Sequence, residues 1–212
     1  MKTNEERLAE IMEHLDHLSH IPADEIPRIP LYMDQVTTFM EEHLQDYKRN
    51  SEDKVLTKTM INNYAKNDLL PPPEKKKYSR EHMLLLIFIY YYKNLLSIND
   101  IDTLLNPLTE RHFKGDSPVR LADIYEEVFS LRNEQKQRLK EDIIQKFDAA
   151  SKTFETAPEK EQEYLRLFSF ISELAFDVYL KKMVIESLID QYRSESPSGK
   201  DKKKITPNST KG

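Results

Sequence analysis

Five residues in one short stretch, Lys58, Thr59, Asn62, Asn63 and Lys66, have types that read a nucleic-acid duplex. An Asn amide can bond an adenine edge with two hydrogen bonds, and a Lys ammonium can meet guanine or phosphate. A second group follows a triple proline: Lys75, Lys76, Lys77, Tyr78 and Arg80, a basic tip suited to a phosphate backbone. Other spacings invite chemistry and are read as solvated surface. His14, His17 and His20 stand three apart, but the outer two lie about 120° apart around a helix axis, so no metal site is assigned. The pairs Glu126-Glu127 and Glu141-Asp142 fall on helix exteriors. A Gly-rich phosphate loop and a nucleophile elbow are both missing from the sequence. The expectation is a protein that is not an enzyme, with no catalytic residue and no cofactor.

The residues that would position the first group are as telling as the group itself. Leu56, Met60, Ile61, Tyr64 and Ala65 recur at helical spacing and define the opposite, apolar face. Thr57 is placed to cap that helix through its hydroxyl. Pro71-Pro72-Pro73 cannot continue a helix and hold the chain extended into the basic tip. Ser79 then caps a helix from 79 to 94 that is almost wholly apolar from Met83 to Tyr92 and must be covered on several sides. A polar helix, a basic loop and a buried helix in that order predict a winged helix-turn-helix.

The order Thr-x-x-x-Ile-x-x-Tyr, Leu-Leu-Pro-Pro, a basic Tyr-Ser, an apolar helix and Ser-Ile-x-Asp-Ile resembles the DNA-binding domain of MerR-type regulators, over about 55–105. The stretch LTKTMINNYAKNDLLPPPEKKKYSREH resembles more closely a family of uncharacterised bacterial proteins known only as a domain of unknown function. That resemblance reaches back to 29–35. It implies a MerR-like fold and DNA binding through Lys58, Thr59, Asn62, Asn63 and Lys66, with Lys75, Lys76, Lys77, Tyr78 and Arg80 as the wing. Two departures favour an alternative, a winged-helix-derived protein–protein interaction module without DNA binding. Asn62-Asn63-Tyr64-Ala65 stands where MerR relatives carry a phosphate-gripping Arg, and about ten residues, 46–55, replace a turn of three or four.

Composition narrows the rest. Three Gly, 9% aromatic and 33% charged residues favour helices over sheet. With no Cys, disulfides and thiolate metal sites are excluded. Net charge is −5, yet residues 54–82 hold seven Lys/Arg against three Asp/Glu. The only expected folded segment with a positive balance is therefore the proposed reading head. The start of the chain is charged, and the longest apolar run has ten residues, too short to span a membrane. The expectation is a cytoplasmic protein that makes no membrane contact.

The fold class expected is all-α with at most a small β wing: a MerR-like winged helix-turn-helix followed by a C-terminal helical hairpin or bundle. Four parts are expected. Residues 1–30 would be an amphipathic helix over 4–20 and a stiff Pro-rich link. Residues 31–106 would be the winged domain, with a mobile polar loop at 46–54 and a last helix that Pro107 ends. Residues 107–193 would be a dimerisation or effector region. There a helix capped by Ser117 and led by Pro118 runs on to 154 with an exposed polar middle, and Pro158 opens the last helix. Residues 194–212 would be a disordered basic tail. Tyr90, Tyr91, Tyr164, Phe168, Phe176 and Tyr179 are candidate ligand or dimer surface. The expected partners are double-stranded DNA and a second copy of the chain. Nothing in the sequence identifies a small-molecule effector.

Overall fold

The apolar run becomes the axis of the core. In the computed structural model, which describes residues 2–195, that run lies in a helix from Arg80 to Tyr92 (α4), and its residues from His82 to Tyr90 are all buried. The Ser79 hydroxyl and the His82 ring cap its first turn together. A two-stranded antiparallel sheet leads into it. Leu31–Tyr32 (β1) pairs with Lys77–Tyr78 (β2), Leu31 opposite Tyr78 and Tyr32 opposite Lys77. Met33–Leu44 (α2) follows β1 and puts Val36, Met40 and Leu44 inward at helical spacing. Lys58–Lys66 (α3) adds Ile61 and Tyr64. Ile98–His112 (α5) and Leu121–Ser130 (α6) close the remaining sides with Ile101, Leu105, Leu121, Tyr125 and Phe129. Burial of such side chains stabilises by about 1.5–3 kcal/mol each.

A smaller cluster joins the first described helix to the last two. Asn4–His17 (α1) packs Leu8, Met12 and Leu15 against Ile143, Phe147 and Ala150 of Arg132–Ser151 (α7), and against Phe170 and Leu174 of Glu159–Glu195 (α8). Asn4 is buried and bonds Glu163 twice, its amide N to Oε1 at 2.8 Å and its Nδ2 to the carbonyl at 2.9 Å. Lys146 links α7 to Asp177 of α8. Beyond this bundle α8 runs on to the core, where Ile189 is buried and Arg193 pairs with Asp100 of α5 at 2.8 Å.

The predominantly helical class is as expected, with a sheet of only two strands. Several local expectations differ. α1 stops at His17 rather than 20, because Lys136 Nζ takes the Asp16 and Leu18 carbonyls at 3.1 Å and His20 turns to stack on Phe129. The expected Pro-rich link is part of the core. Ile21, Ala23 and Ile26 are buried, the Tyr125 hydroxyl donates to the Ile21 carbonyl at 2.6 Å, and the Ala23 amide donates to Glu126 at 2.6 Å.

Pro107 sits inside α5 instead of ending it. Proline in a helix costs about 3 kcal/mol, and burial of Ile101 and Leu105 before it, with Leu108 and Phe113 packed after it, offsets that. Ser117 and Pro118 do not start α6. His112 Nδ1 lies 2.8 Å from the Val119 carbonyl, and an Arg120–Asp123 capping box opens the helix at Leu121. The long helix expected from 119 is two, divided at Leu131, since α6 packs on α4 while α7 packs on α8. Finally α8 includes Ser194 and Glu195, and the rest of the expected tail lies outside the described residues.

Candidate nucleic-acid interface

The short helix α3 is held from both ends. Thr57 Oγ1 accepts the Met60 amide at 3.1 Å, the expected cap. At the other end Asp68 adopts a left-handed φ of 58°, the Leu69 amide bonds the Tyr64 carbonyl at 2.9 Å, and the Asp68 amide bonds that of Ala65. This is a Schellman turn, and it places Leu69 and Leu70 in the core. Buried Ile61 and Tyr64 fix the rotation of the helix, so Lys58, Thr59, Asn62, Asn63 and Lys66 are all exposed. Among the described residues the Asn62 and Asn63 side-chain amides make no intramolecular hydrogen bond. Lys58 is engaged by Asp34 of α2.

The long segment before α3 is stitched down rather than loose, contrary to the mobile loop expected. Glu41 of α2 takes Lys48 Nζ at 2.6 Å and the Val55 amide at 3.2 Å, and the Lys48 bond holds its carboxyl below the usual range. Asn50 and Asp53 close a turn on each other. The Tyr47 hydroxyl reaches the Ser19 carbonyl at 2.9 Å. From the core side Lys93 Nζ donates to the Val55 carbonyl at 2.7 Å, and burial lowers the pKa of that ammonium.

The basic tip is a tight turn from Glu74 to Lys77, closed by the Lys77 amide on the Glu74 carbonyl at 2.9 Å. Lys75 and Lys76 both have positive φ, 48° and 65°. That is the signature of a type I′ turn, a conformation that Asn and Gly adopt far more readily than Lys. Both side chains are exposed. Lys77 lies with its ammonium 4.9 Å from the centre of the Tyr32 ring. The other two residues expected on the wing are used by the fold. Tyr78 is buried and packs edge-on to His82, and the Arg80 guanidinium donates to the Ala23 carbonyl at 2.6 Å. His82 accepts the Ser79 amide at Nδ1 and donates from Nε2 to the Pro71 carbonyl at 3.1 Å. Burial lowers its pKa and keeps the ring neutral.

The six aromatic candidates divide. Tyr90 is buried in the core. Tyr91 is half-buried beneath Arg132, whose Nη1 donates to its hydroxyl at 2.8 Å and whose other arm reaches Tyr47. Arg132 thereby bolts the start of α7 to the core. The sequence gives no sign of this role, because its partners lie 41 and 85 residues away. Tyr164, Phe168, Phe176 and Tyr179 are exposed along α8. His14, His17 and His20 are not brought together, and among the described residues no group of three or more His, Cys, Asp or Glu could hold a metal ion. No helix among them is long and apolar enough to cross a membrane.

Fold and surface together define a mostly helical protein with a minimal sheet and an exposed polar helix beside a basic turn. A family model described as a domain of unknown function (DUF1836) matches residues 21–128, and the chain belongs to that family. The matched span follows the main core closely, since its buried residues begin at Ile21 and, apart from Ile189, end at Phe129. No curated protein and no solved structure matches the sequence.

Proposed function

We propose that this chain is a DNA-binding transcriptional regulator that acts as a homodimer through a MerR-like winged helix-turn-helix. The observation that carries the reading is the outer face of α3. It offers two unengaged Asn amides between Lys58 and Lys66, on a helix whose rotation is fixed by buried Ile61 and Tyr64. In this reading Asn62, Asn63 and Thr59 read base edges, and Lys66, Lys75 and Lys76 hold phosphates.

A second copy of the chain supplies the other half through α8. Tyr164, Phe168, Ile171, Ala175, Val178, Lys182 and Ile185 alternate at spacings of four and three, the repeat of a coiled-coil seam, and all are exposed. Tyr164, Phe168, Ile171, Val178 and neighbouring Tyr179 are each more than half exposed, an apolar row that a second copy can cover. In a parallel pair Lys182, 3.6 Å from Glu186, would face its own copy at the seam. Antiparallel pairing sets it against Tyr164 instead and matches Phe168 with Val178 and Ile171 with Ala175, so the pair is antiparallel.

The test is fluorescence anisotropy with a duplex from the promoter of the protein's own gene and a random duplex, at low and moderate salt. Tighter, salt-sensitive binding to the promoter is expected. Asn63→Ala should lower the preference for the promoter more than total affinity, whereas Lys76→Ala should weaken both duplexes alike. Binding to neither duplex at low salt would sink the reading. The second reading, an interaction module of winged-helix ancestry, is favoured by the Lys58–Asp34 pair, which already neutralises one of the reading cations.

A further inference from the structure

Between β1, the Glu74–Lys77 turn and the C-terminal end of α5 lies a cavity of about 630 Å³. Its apolar walls are Pro30, Tyr32, Pro72 and Phe113, and its ammonium groups are those of Lys75, Lys114 and Lys77, the last beside the Tyr32 ring, against one carboxylate, Glu74. None of the three lysines pairs with a carboxylate among the described residues. The floor is complete, since Ser79 and His82 bond each other and His82 is also bonded to Pro71, so an occupant need satisfy nothing there. A similar cavity of about 560 Å³ between α1 and α7 differs in that its cations already donate hydrogen bonds. Its cations Arg132 and Lys136 are already taken, by Tyr47 and Tyr91 and by the Asp16 and Leu18 carbonyls.

We propose that the cavity beside the Glu74–Lys77 turn binds a planar aromatic group that carries an anionic phosphate or carboxylate, with the ring against Tyr32 and Phe113 and the anion held by Lys75, Lys77 and Lys114. The volume suits a ligand of mononucleotide size or smaller. A cation is repelled by three ammonium groups, and an uncharged apolar ligand would desolvate them without return. An anion with no ring would leave the two aromatic walls unused. Lys75 and Lys77 lie on the turn that the DNA reading assigns to phosphate contact. On that reading the ligand competes with the duplex for Lys75 and weakens DNA binding.

The full chain, labelled with nitrogen-15 and free of DNA, is titrated with AMP, salicylate, inorganic phosphate and adenosine while amide shifts are followed. AMP or salicylate should shift Tyr32, Lys77, Phe113 and Lys114 saturably, at least tenfold more tightly than phosphate or adenosine, and the better of the two identifies a phosphate or a carboxylate ligand. Lys114→Glu and Tyr32→Ala, both at exposed positions, should each weaken that binding tenfold or more. No saturable shift with AMP or salicylate, or shifts unchanged in both variants, would overturn the assignment. With the random duplex added, saturating ligand should lower duplex affinity severalfold; undiminished affinity would overturn the competition. A chain that binds the ligand but no duplex would overturn the DNA reading and leave the cavity assignment standing.

Discussion

Lys75 and Lys76 are the residues least suited to the backbone they occupy. Two consecutive left-handed residues without Gly or Asn cost on the order of 1 kcal/mol each. Replacing both, Lys75→Asn with Lys76→Gly, supplies the pair a type I′ turn prefers. Stability should rise by about 1–2 kcal/mol, which for a chain of this length raises Tm by roughly 3–6 °C. Thermal unfolding of the double variant checks this, and an unchanged or lower Tm would show that the turn is unstrained. At this scale the sequence was readable for the α3 face, because exposure there follows from helical spacing alone. It misled for Tyr78, which pairs with Leu31 and packs on His82, and for Arg80, whose partner Ala23 lies 57 residues away. Lys114 and Phe113 gave no signal, for nothing local marks residue 113 as a neighbour of residue 75.

Among the elements, the segment from Gln45 to Thr57 shows how a long connection is kept in place by few groups. Glu41 is the anchor, holding Lys48 and the Val55 amide from the helix before it. Its carboxyl has a folded pKa below the unfolded value of about 4.3. The sign is therefore that of a carboxylate: the stabilisation is complete above that value and is lost as pH falls through the folded one. Glu41→Gln removes the charge at every pH. It should cost on the order of 1–2 kcal/mol at neutral pH and make trypsin cleavage at Arg49 and Lys54 severalfold faster. Equal digestion rates in the two proteins would show that the segment is held by other contacts. The helices with local signals were legible before the structure was known: Thr57 and Ser79 mark starts, and the apolar stripes mark faces. The errors at Pro107 and Leu131 have the opposite origin. A proline is kept inside a helix, and a helix is broken at a leucine, by packing against elements distant in sequence.

For the whole molecule, the excess apolar surface of α8 is the feature that most needs a partner. Tyr164, Phe176 and Tyr179 are each about two-thirds exposed (68%, 67% and 66%). Scattered exposed apolar residues are ordinary, but a row along several turns is not. Phe168→Glu places a charge in the proposed seam, opposite Val178, without touching either core cluster. Light scattering should show the parent chain as a dimer and the variant as a monomer, with the same helical content by circular dichroism. A parent chain that is monomeric at tens of micromolar would remove the homodimer from the proposal. The excess itself was visible in the sequence, since the apolar residues of the last helix cover more of its circumference than one neighbour can hide. What the sequence did not reveal is that α1 joins this bundle, because an amphipathic stripe names no partner.

The bonds from Asn4 to Glu163 span 159 residues. During synthesis α1 leaves the ribosome well before its partners in α7 and α8, so it waits unsheltered while the main core folds. Closing so large a loop is slow and entropically costly. The main core can assemble once α6 has emerged, and α8 returns to it through Ile189 and Arg193. Premature termination near residue 130 would thus yield a chain whose centre is nearly complete and whose first helix has nothing to rest on, a species for proteases to trim close to His17.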